Sequence, residues 1–421
     1  MSRSFGRSAY FGRTVVFLLL KVGFRPVPSD MAAGSEFEFN GKMKAAGERL
    51  AVSIRRLGQP WELAVFLWIP LILFTVVTVA ELHLPGSLKD WEIFRAAAHT
   101  VDHGRSPFPP ATPAALAHGD KYVYPPITAL LLSPLAFLPL VAGKQVFLLL
   151  ALACVLLSLR LLGVRDWRCY GLALMTAPVM DTVSLGAISS MLLLGVAVVW
   201  RYRDRPFVAG AVTALTAVAK LFVWPLFVWL VATRRFRTAL IAAAAAVVLL
   251  VSGWAVIGFA GLGSYPDLLR ALTRVDAVES YSLAGLLRVD GGAAATALSA
   301  LLAIVVICAV FLAARGPDGD QRALTIAVAG ALLATPVLWL HYLDLLFVPI
   351  ALARPRLSGI WFAPLAFWVT PLAHSSGSVW RICLVLAVSA YVVSRTVRPA
   401  ASAVAGRPPG RAESARALPS S

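Results

Sequence analysis

Charge is scarce in this chain. Of its 421 residues only 14% are charged, against 59% hydrophobic, whereas a soluble domain carries roughly a quarter charged residues. An ordinary soluble enzyme is thereby excluded. Cysteine is scarce too. Cys154, Cys169, Cys308 and Cys383 all fall in or beside apolar segments, and none has metal-ligand spacing. They read as buried free thiols, and no disulfide framework is implied. There is no serine nucleophile elbow, no P-loop, no dinucleotide fingerprint and no His-Glu-x-x-His pair; those absences remove the hydrolase, nucleotide-binding and zinc-protease classes that the motifs carry. Gly258 to Gly263 is rich in glycine but opens a loop rather than a βαβ unit. No basic stripe is interleaved with aromatics, so nucleic acid is not an expected partner.

What is present is a succession of apolar runs. Leu63 to Ala80 alone is an uncharged stretch of about the length that crosses a bilayer. The runs are continuous rather than alternating, which argues against a β-barrel. The expected fold class is an all-α polytopic membrane protein, a bundle of about 10–12 transmembrane helices with short helices in its outer loops. Spans are expected near 61–81, 125–141, 145–163, 169–200, 207–219, 220–233, 237–260, 293–315, 322–338, 341–354, 358–373 and 378–395. Several are short, and 169–200 is long and carries Pro178, Asp181 and Gly186. Broken helices at membrane depth are tolerated only against protein or a water-filled cavity, so the pattern points to an internal site.

The net charge of +17 is concentrated at the ends. Residues 1–57 hold ten Lys/Arg against four Asp/Glu, and Arg395 to Arg416 holds five Arg against Glu413. Basic flanks read as cytoplasmic and held near anionic lipid. Residues 1–57 are expected to be a poorly ordered basic cytoplasmic leader, with Met31 or Met43 as alternative starts; 58–396 the transmembrane catalytic domain; and 397–421 a disordered cytoplasmic tail. With twelve passes both termini lie inside, as do Lys144, Arg354 and Arg356. Loops 82–124 and 261–292 and the turn at His374 lie outside. Arg165 to Arg168 then lands outside, against the rule.

A few residues can carry chemistry. Asp90 begins a polar loop after the first span, flanked by Trp91 and Phe94. A carboxylate held at a membrane border can have a raised pKa and serve as a base. Glu92 and Asp102 read as acids of the solvated face. His99 and His103 are spaced i, i+4 but lack a third ligand, so neither a metal nor any other cofactor is expected. Lys220 interrupts an apolar run, where an ionisable residue points to function: its task would be to bind an anion such as a phosphate. Trp339, His341, Tyr342 and Asp344 cluster in a later apolar segment beside Pro336, a combination that favours a ligand site.

These pieces, in this order, resemble a known family. The series runs Asp90-Trp-Glu-Ile-Phe, Gly104-Arg-Ser-Pro-Phe, Tyr122-Val-Tyr-Pro-Pro, Ser133-Pro-Leu-Ala-Phe-Leu-Pro, Leu185-Gly-Ala-Ile-Ser-Ser, Val218-Ala-Lys-Leu, Arg234-Arg-Phe-Arg and Thr335-Pro-Val-Leu-Trp-Leu-His-Tyr-Leu. Over about residues 60–395 it is similar to glycosyltransferase family 87, polyprenyl-phosphate-sugar-dependent transferases of the GT-C fold class. The family often has Gly-Gln-x-Asn where this chain has Gly186-Ala187-Ile188-Ser189, two polar side chains fewer. The resemblance implies transfer of mannose or arabinofuranose from a polyprenyl-phosphate sugar donor to a glycolipid or polysaccharide acceptor, at the outer face of a plasma membrane. It implies Asp90 as catalytic base, with Lys220 and His341 toward the donor phosphate; Tyr342, Tyr124 and Trp91 are the accompanying substrate-binding candidates. A transporter or lipid flippase is the competing reading, since broken helices and buried polar residues suit it as well.

Overall fold

The computed structural model describes residues 59–83, 88–117, 121–289, 292–316, 318–372 and 378–397. The leader 1–57, the tail from 398 and the turn at His374 lie outside the described residues. The chain divides into two units, 1–63 and 64–421; of the first only 59–63 are described.

All regular structure among the described residues is helical, and the protein is a polytopic membrane protein. Five helices are long and apolar enough to cross a bilayer: α1 (Pro60–His83), α5 (Leu140–Leu161), α11 (Phe236–Val256), α14 (Gly292–Ala313) and α17 (Val379–Val397). Their large aliphatics are turned outward, among them Ile72 and Val76 on α1, Leu240 and Val248 on α11, and Ile304 and Leu312 on α14. In water such a surface is a liability; against acyl chains it is the favoured one.

The shorter helices fill the interior. α2 is Lys89–Asp102, α3 Pro113–Ala117 and α4 Pro126–Ala136. The expected 169–200 segment is three pieces: α6 (Trp167–Leu174), α7 (Ala177–Leu185) and α8 (Ser189–Arg201). α9 (Pro206–Ala219) passes through a 3₁₀ turn (Leu221–Val223) into α10 (Pro225–Ala232). α12 (Tyr265–Asp276) and α13 (Leu283–Leu286) follow α11. α15 (Gly319–Ala334) leads to a 3₁₀ segment (Leu340–Leu346), α16 (Phe347–Ala353) and a second 3₁₀ segment (Gly359–Val369). Proline sets several starts: Pro126, Pro178, Pro206 and Pro225 sit in the first turn of their helices, where the missing N–H costs nothing and the fixed φ suits a helix.

Two expectations about sidedness are corrected by contacts. Lys144 donates to Glu92 on α2 at 2.7 Å, and Arg95 on α2 donates to the Ala136 carbonyl at 3.1 Å. Both ends of α4 therefore lie at the α2 end of the bundle, so 125–141 is not a crossing and Lys144 belongs with the loop of Asp90. Eleven residues of helix measure only about 16 Å at 1.5 Å per residue. At the opposite end Arg165 donates its N–H to the Pro355 carbonyl (3.4 Å), and Leu357 donates its N–H to the Asp166 carboxylate (3.1 Å). The Arg165–Arg168 loop thus shares the side of Arg354 and Arg356. The exception to the charge rule disappears because α4 stays at one end of the bundle and the α7–α8 turn reaches that same end, against Leu88 and Trp91. Asp320 binds both Arg203 (3.0 Å) and Arg235 (2.7 Å) at this arginine-rich end.

α2 lies across the other end. Trp91, Phe94, Ala97, Ala98 and Val101 form its buried face, with Trp91 tilted against Phe147 at 4.9 Å. Its entry is tight. Leu88 donates its N–H to the Ser184 carbonyl (3.2 Å), and Gly186, at φ +67, ends α7 against α2: a Cβ there would come within 2.8 Å of the Trp91 Cβ. Only glycine meets both demands.

Candidate active site

The helix breaks converge on one cavity of about 700 Å³. Asp90 enters it from the first turn of α2, where exposed backbone amides favour a carboxylate. Lys220 enters from the joint between α9 and its 3₁₀ turn, with extended backbone (φ −151, ψ 106). His341 and Tyr342 enter from the 3₁₀ segment after α15, and Tyr124 from the loop ahead of α4. Residues more than 200 positions apart in the chain thus share a wall. The Tyr122-Val-Tyr-Pro-Pro motif explains itself here. Tyr122 is structural: its hydroxyl donates to the Pro125 carbonyl (2.8 Å) and accepts from the Ala129 N–H (3.0 Å), so that Tyr124 is turned to the cavity.

Lys220 is buried, and its Nζ has no hydrogen-bond partner among the described residues. It stands 3.8 Å from the Tyr342 ring centre and 5.4 Å from that of Tyr124, a cation–π arrangement that contributes on the order of 1 kcal/mol. Phe222 stacks on Tyr342 at 4.8 Å and 3° between planes, fixing that ring. His341 is held by Asp181, whose Oδ2 lies 3.1 Å from both the backbone nitrogen and Nδ1 of the histidine. The opposite ring nitrogen, Nε2, is buried without a partner among the described residues.

Burial pushes the Asp90 carboxyl above its ordinary range; the charges of His341 and Lys220 pull it back, and Asp181 adds to the rise. Burial likewise raises Tyr124, which stays a neutral phenol able to donate a hydrogen bond. At the cavity mouth Lys121 pairs with Asp276 at 2.5 Å, and the Tyr265 hydroxyl donates to the Val123 carbonyl at 2.9 Å. Phe108 packs on Trp254, Tyr265 and Tyr122 at 5.1, 5.3 and 5.9 Å, pinning the loop between α2 and α4.

The sequence candidates separate cleanly in space. Asp90, Lys220, His341, Tyr342 and Tyr124 line the cavity; Trp91 does not. Its indole is in the core against Phe147, because successive side chains on α2 point about 100° apart and Asp90 takes the cavity direction. Glu92, its side chain 38% exposed, pairs with Lys144, and Asp102 is exposed. His103 is tied through Nδ1 to the His99 carbonyl (2.7 Å). Asp181 carries weight that sequence reading left without a role, and Asp344 belongs to the cluster that sequence reading took for a ligand site. Asp344 is fully buried, near the Leu345 backbone and the Lys220 charge. Each is an acid inside an apolar run, and that was the available signal.

A carboxylate, a lysine ammonium and an imidazole line one cavity bordered by Leu221, Phe222 and Trp224. That arrangement can take up an amphiphilic anion beside a group able to accept a proton. No curated protein and no solved structure matches the chain. The model of glycosyltransferase family 87 matches residues 122–340, 219 of the 421 residues, a stretch that includes Tyr124 and Lys220 and ends one residue before His341. With more than half of its length matched, the chain belongs to glycosyltransferase family 87.

Proposed function

We propose that this protein transfers mannose or arabinofuranose from a polyprenyl-phosphate donor to a glycan or glycolipid acceptor, with inversion, at the extracytoplasmic face of the plasma membrane. The observation that carries the reading is the pairing, within one cavity, of the unpartnered Lys220 ammonium with the Asp90 carboxylate. The donor already holds a good leaving group, so no nucleotide is required. The acceptor hydroxyl attacks the anomeric carbon from the face opposite the phosphate, and Asp90 takes its proton. A general base contributes roughly 10²–10⁴-fold, and the raised affinity of Asp90 for a proton suits that task. The C–O bond to phosphate breaks with the electron pair on the leaving oxygen. Lys220 and His341 stabilise the charge that develops there, while Tyr124 and Tyr342 line the sugar between them.

Sidedness follows from the same picture. The loops with Arg165, Arg203, Arg235 and Arg354 gather at the end away from the cavity, and a basic end is retained in the cytoplasm. The cavity then opens outside, where a water-soluble glycan meets a lipid-borne sugar.

The test is a reconstituted assay with purified protein, labelled polyprenyl-phosphate mannose or arabinofuranose and a glycolipid acceptor. A new glycosidic bond of inverted anomeric configuration is the expected product. Movement of the labelled lipid across the membrane with no bond formed identifies a transporter and overturns the reading.

A further inference from the structure

Asp181 belongs to neither the expected base nor the expected cation donors, yet it lines the same cavity and contacts His341 there. It lies in the middle of α7, in a run that is otherwise apolar, and both it and His341 are only 3% exposed at the side chain. One oxygen, Oδ2, receives the backbone N–H of His341 and faces ring atom Nδ1, each at 3.1 Å. A carboxylate only accepts, so Nδ1 carries the hydrogen of that contact. Tyr342 packs edge-on against the ring at 4.8 Å. Clamped on those sides, the imidazole of this cavity-lining residue keeps one polar atom, Nε2, buried and without a partner among the described residues.

We infer that Asp181 is a positioning residue for glycosyl transfer: it locks the His341 ring through Nδ1–H with Nε2 turned to the cavity, and balances the positive charge the ring bears when Nε2–H binds an anionic phosphate. The inference rests on the reading of the donor as a polyprenyl-phosphate sugar. An anion on Nε2 needs a hydrogen there, and with Nδ1 already protonated the ring is then a cation between two anions. Asp181 forms and breaks no covalent bond. The acceptor oxygen bonds to the anomeric carbon, its proton passes to Asp90, and the phosphate departs with the electron pair into a hydrogen bond from Nε2.

The bland alternative is that Asp181 only caps the turn that His341 begins. Asp181→Asn separates the two, because an amide oxygen still accepts the backbone N–H but brings no negative charge. Two quantities are measured: turnover with a labelled polyprenyl-phosphate sugar, and binding of polyprenyl phosphate itself, which needs no transfer. Asp181→Asn is expected to lower kcat and to weaken polyprenyl-phosphate binding by about 10- to 100-fold, the range of a hydrogen bond to a charged group, while KM for the acceptor holds. In a His341→Ala background the same change is expected to add less than about twofold. Wild-type values for Asp181→Asn, with thermal stability retained, overturn the inference, and so does a loss that simply multiplies that of His341→Ala. Should the native protein bind polyprenyl phosphate with this coupling yet form no glycosidic bond, the proposed function fails, and what stands is that Asp181 positions His341 for the phosphate. Should it bind no polyprenyl phosphate, both fall.

Discussion

The Lys220 ammonium stands over the face of Tyr342, 3.8 Å from the ring centre, with no hydrogen-bond acceptor among the described residues. A buried cation that has ring faces and the nearby Asp90 and Asp344 charges but no hydrogen-bond acceptor is an unfinished site for an anion. Removing it leaves the leaving phosphate without its main charge partner. Lys220→Ala is expected to reduce turnover by about 10²–10³-fold, as loss of one charge-stabilising donor does elsewhere. Tyr342→Phe, which keeps the ring face, retains most of the activity; Tyr342→Leu does not. Steady-state kinetics with the lipid donor decide, and an unchanged Lys220→Ala variant removes the lysine from the mechanism.

Asp90→Asn preserves shape and removes the base. The variant is expected to insert, to bind the lipid donor and to transfer sugar at least about 10²-fold more slowly. Asp102→Asn, on the exposed turn of the same helix, is the control and keeps wild-type rates. Glu92 is unsuited to that comparison, since it is ion-paired with the buried Lys144. Equal losses at Asp90 and Asp102 point to a general charge effect and reject the assignment.

The pH profile follows from the direction of the Asp90 shift. A base works only when deprotonated, and burial raises its proton affinity. Activity is therefore lost as pH falls through a value above the usual carboxylate range, an acid limb set by Asp90. The acid limb of kcat/KM, which reports the free enzyme, is expected there, and the residual rate of Asp90→Asn lacks it. A limb at an ordinary carboxylate value places a different group in control.

Topology is checked with single cysteines and an impermeant thiol reagent. Ser264→Cys, exposed beside the cavity end, is expected to react in intact cells. Arg165→Cys, hydrogen-bonded through its backbone to the Arg354–Leu357 loop, is expected to react only after the membrane is opened. Reaction of both in intact cells restores the exception to the charge rule and rejects the reassignment of α4.

Gly186→Ala tests the joint between α7 and α2. The φ of +67 and a Cβ 2.8 Å from that of Trp91 add strain to a clash, for a cost of about 1–3 kcal/mol. A lowered thermal midpoint is expected, together with reduced turnover because Trp91 sits beside Asp90. Wild-type stability means that α2 can shift without consequence.

The sequence by itself determined that this is a helical membrane protein, since long uncharged runs have no other stable use. It also singled out Asp90, Lys220 and His341, because an ionisable group among apolar neighbours is expensive wherever it lands. Ordered motifs carried the family. What tertiary structure decided is which of these groups meet. Local pattern could not tell that Tyr124 faces the cavity while Trp91 turns into the core, because helical phase relative to a distant wall is a property of packing. It could not tell that 125–141 stays at one end, since apolar character is shared by a crossing helix and one buried in protein. Nor could it join Asp181 to His341, 160 positions apart in the chain. That contact exists because α7 and the 3₁₀ segment after α15 are both interrupted at the same depth, and a buried carboxylate is stable only where a donor from another element comes to meet it.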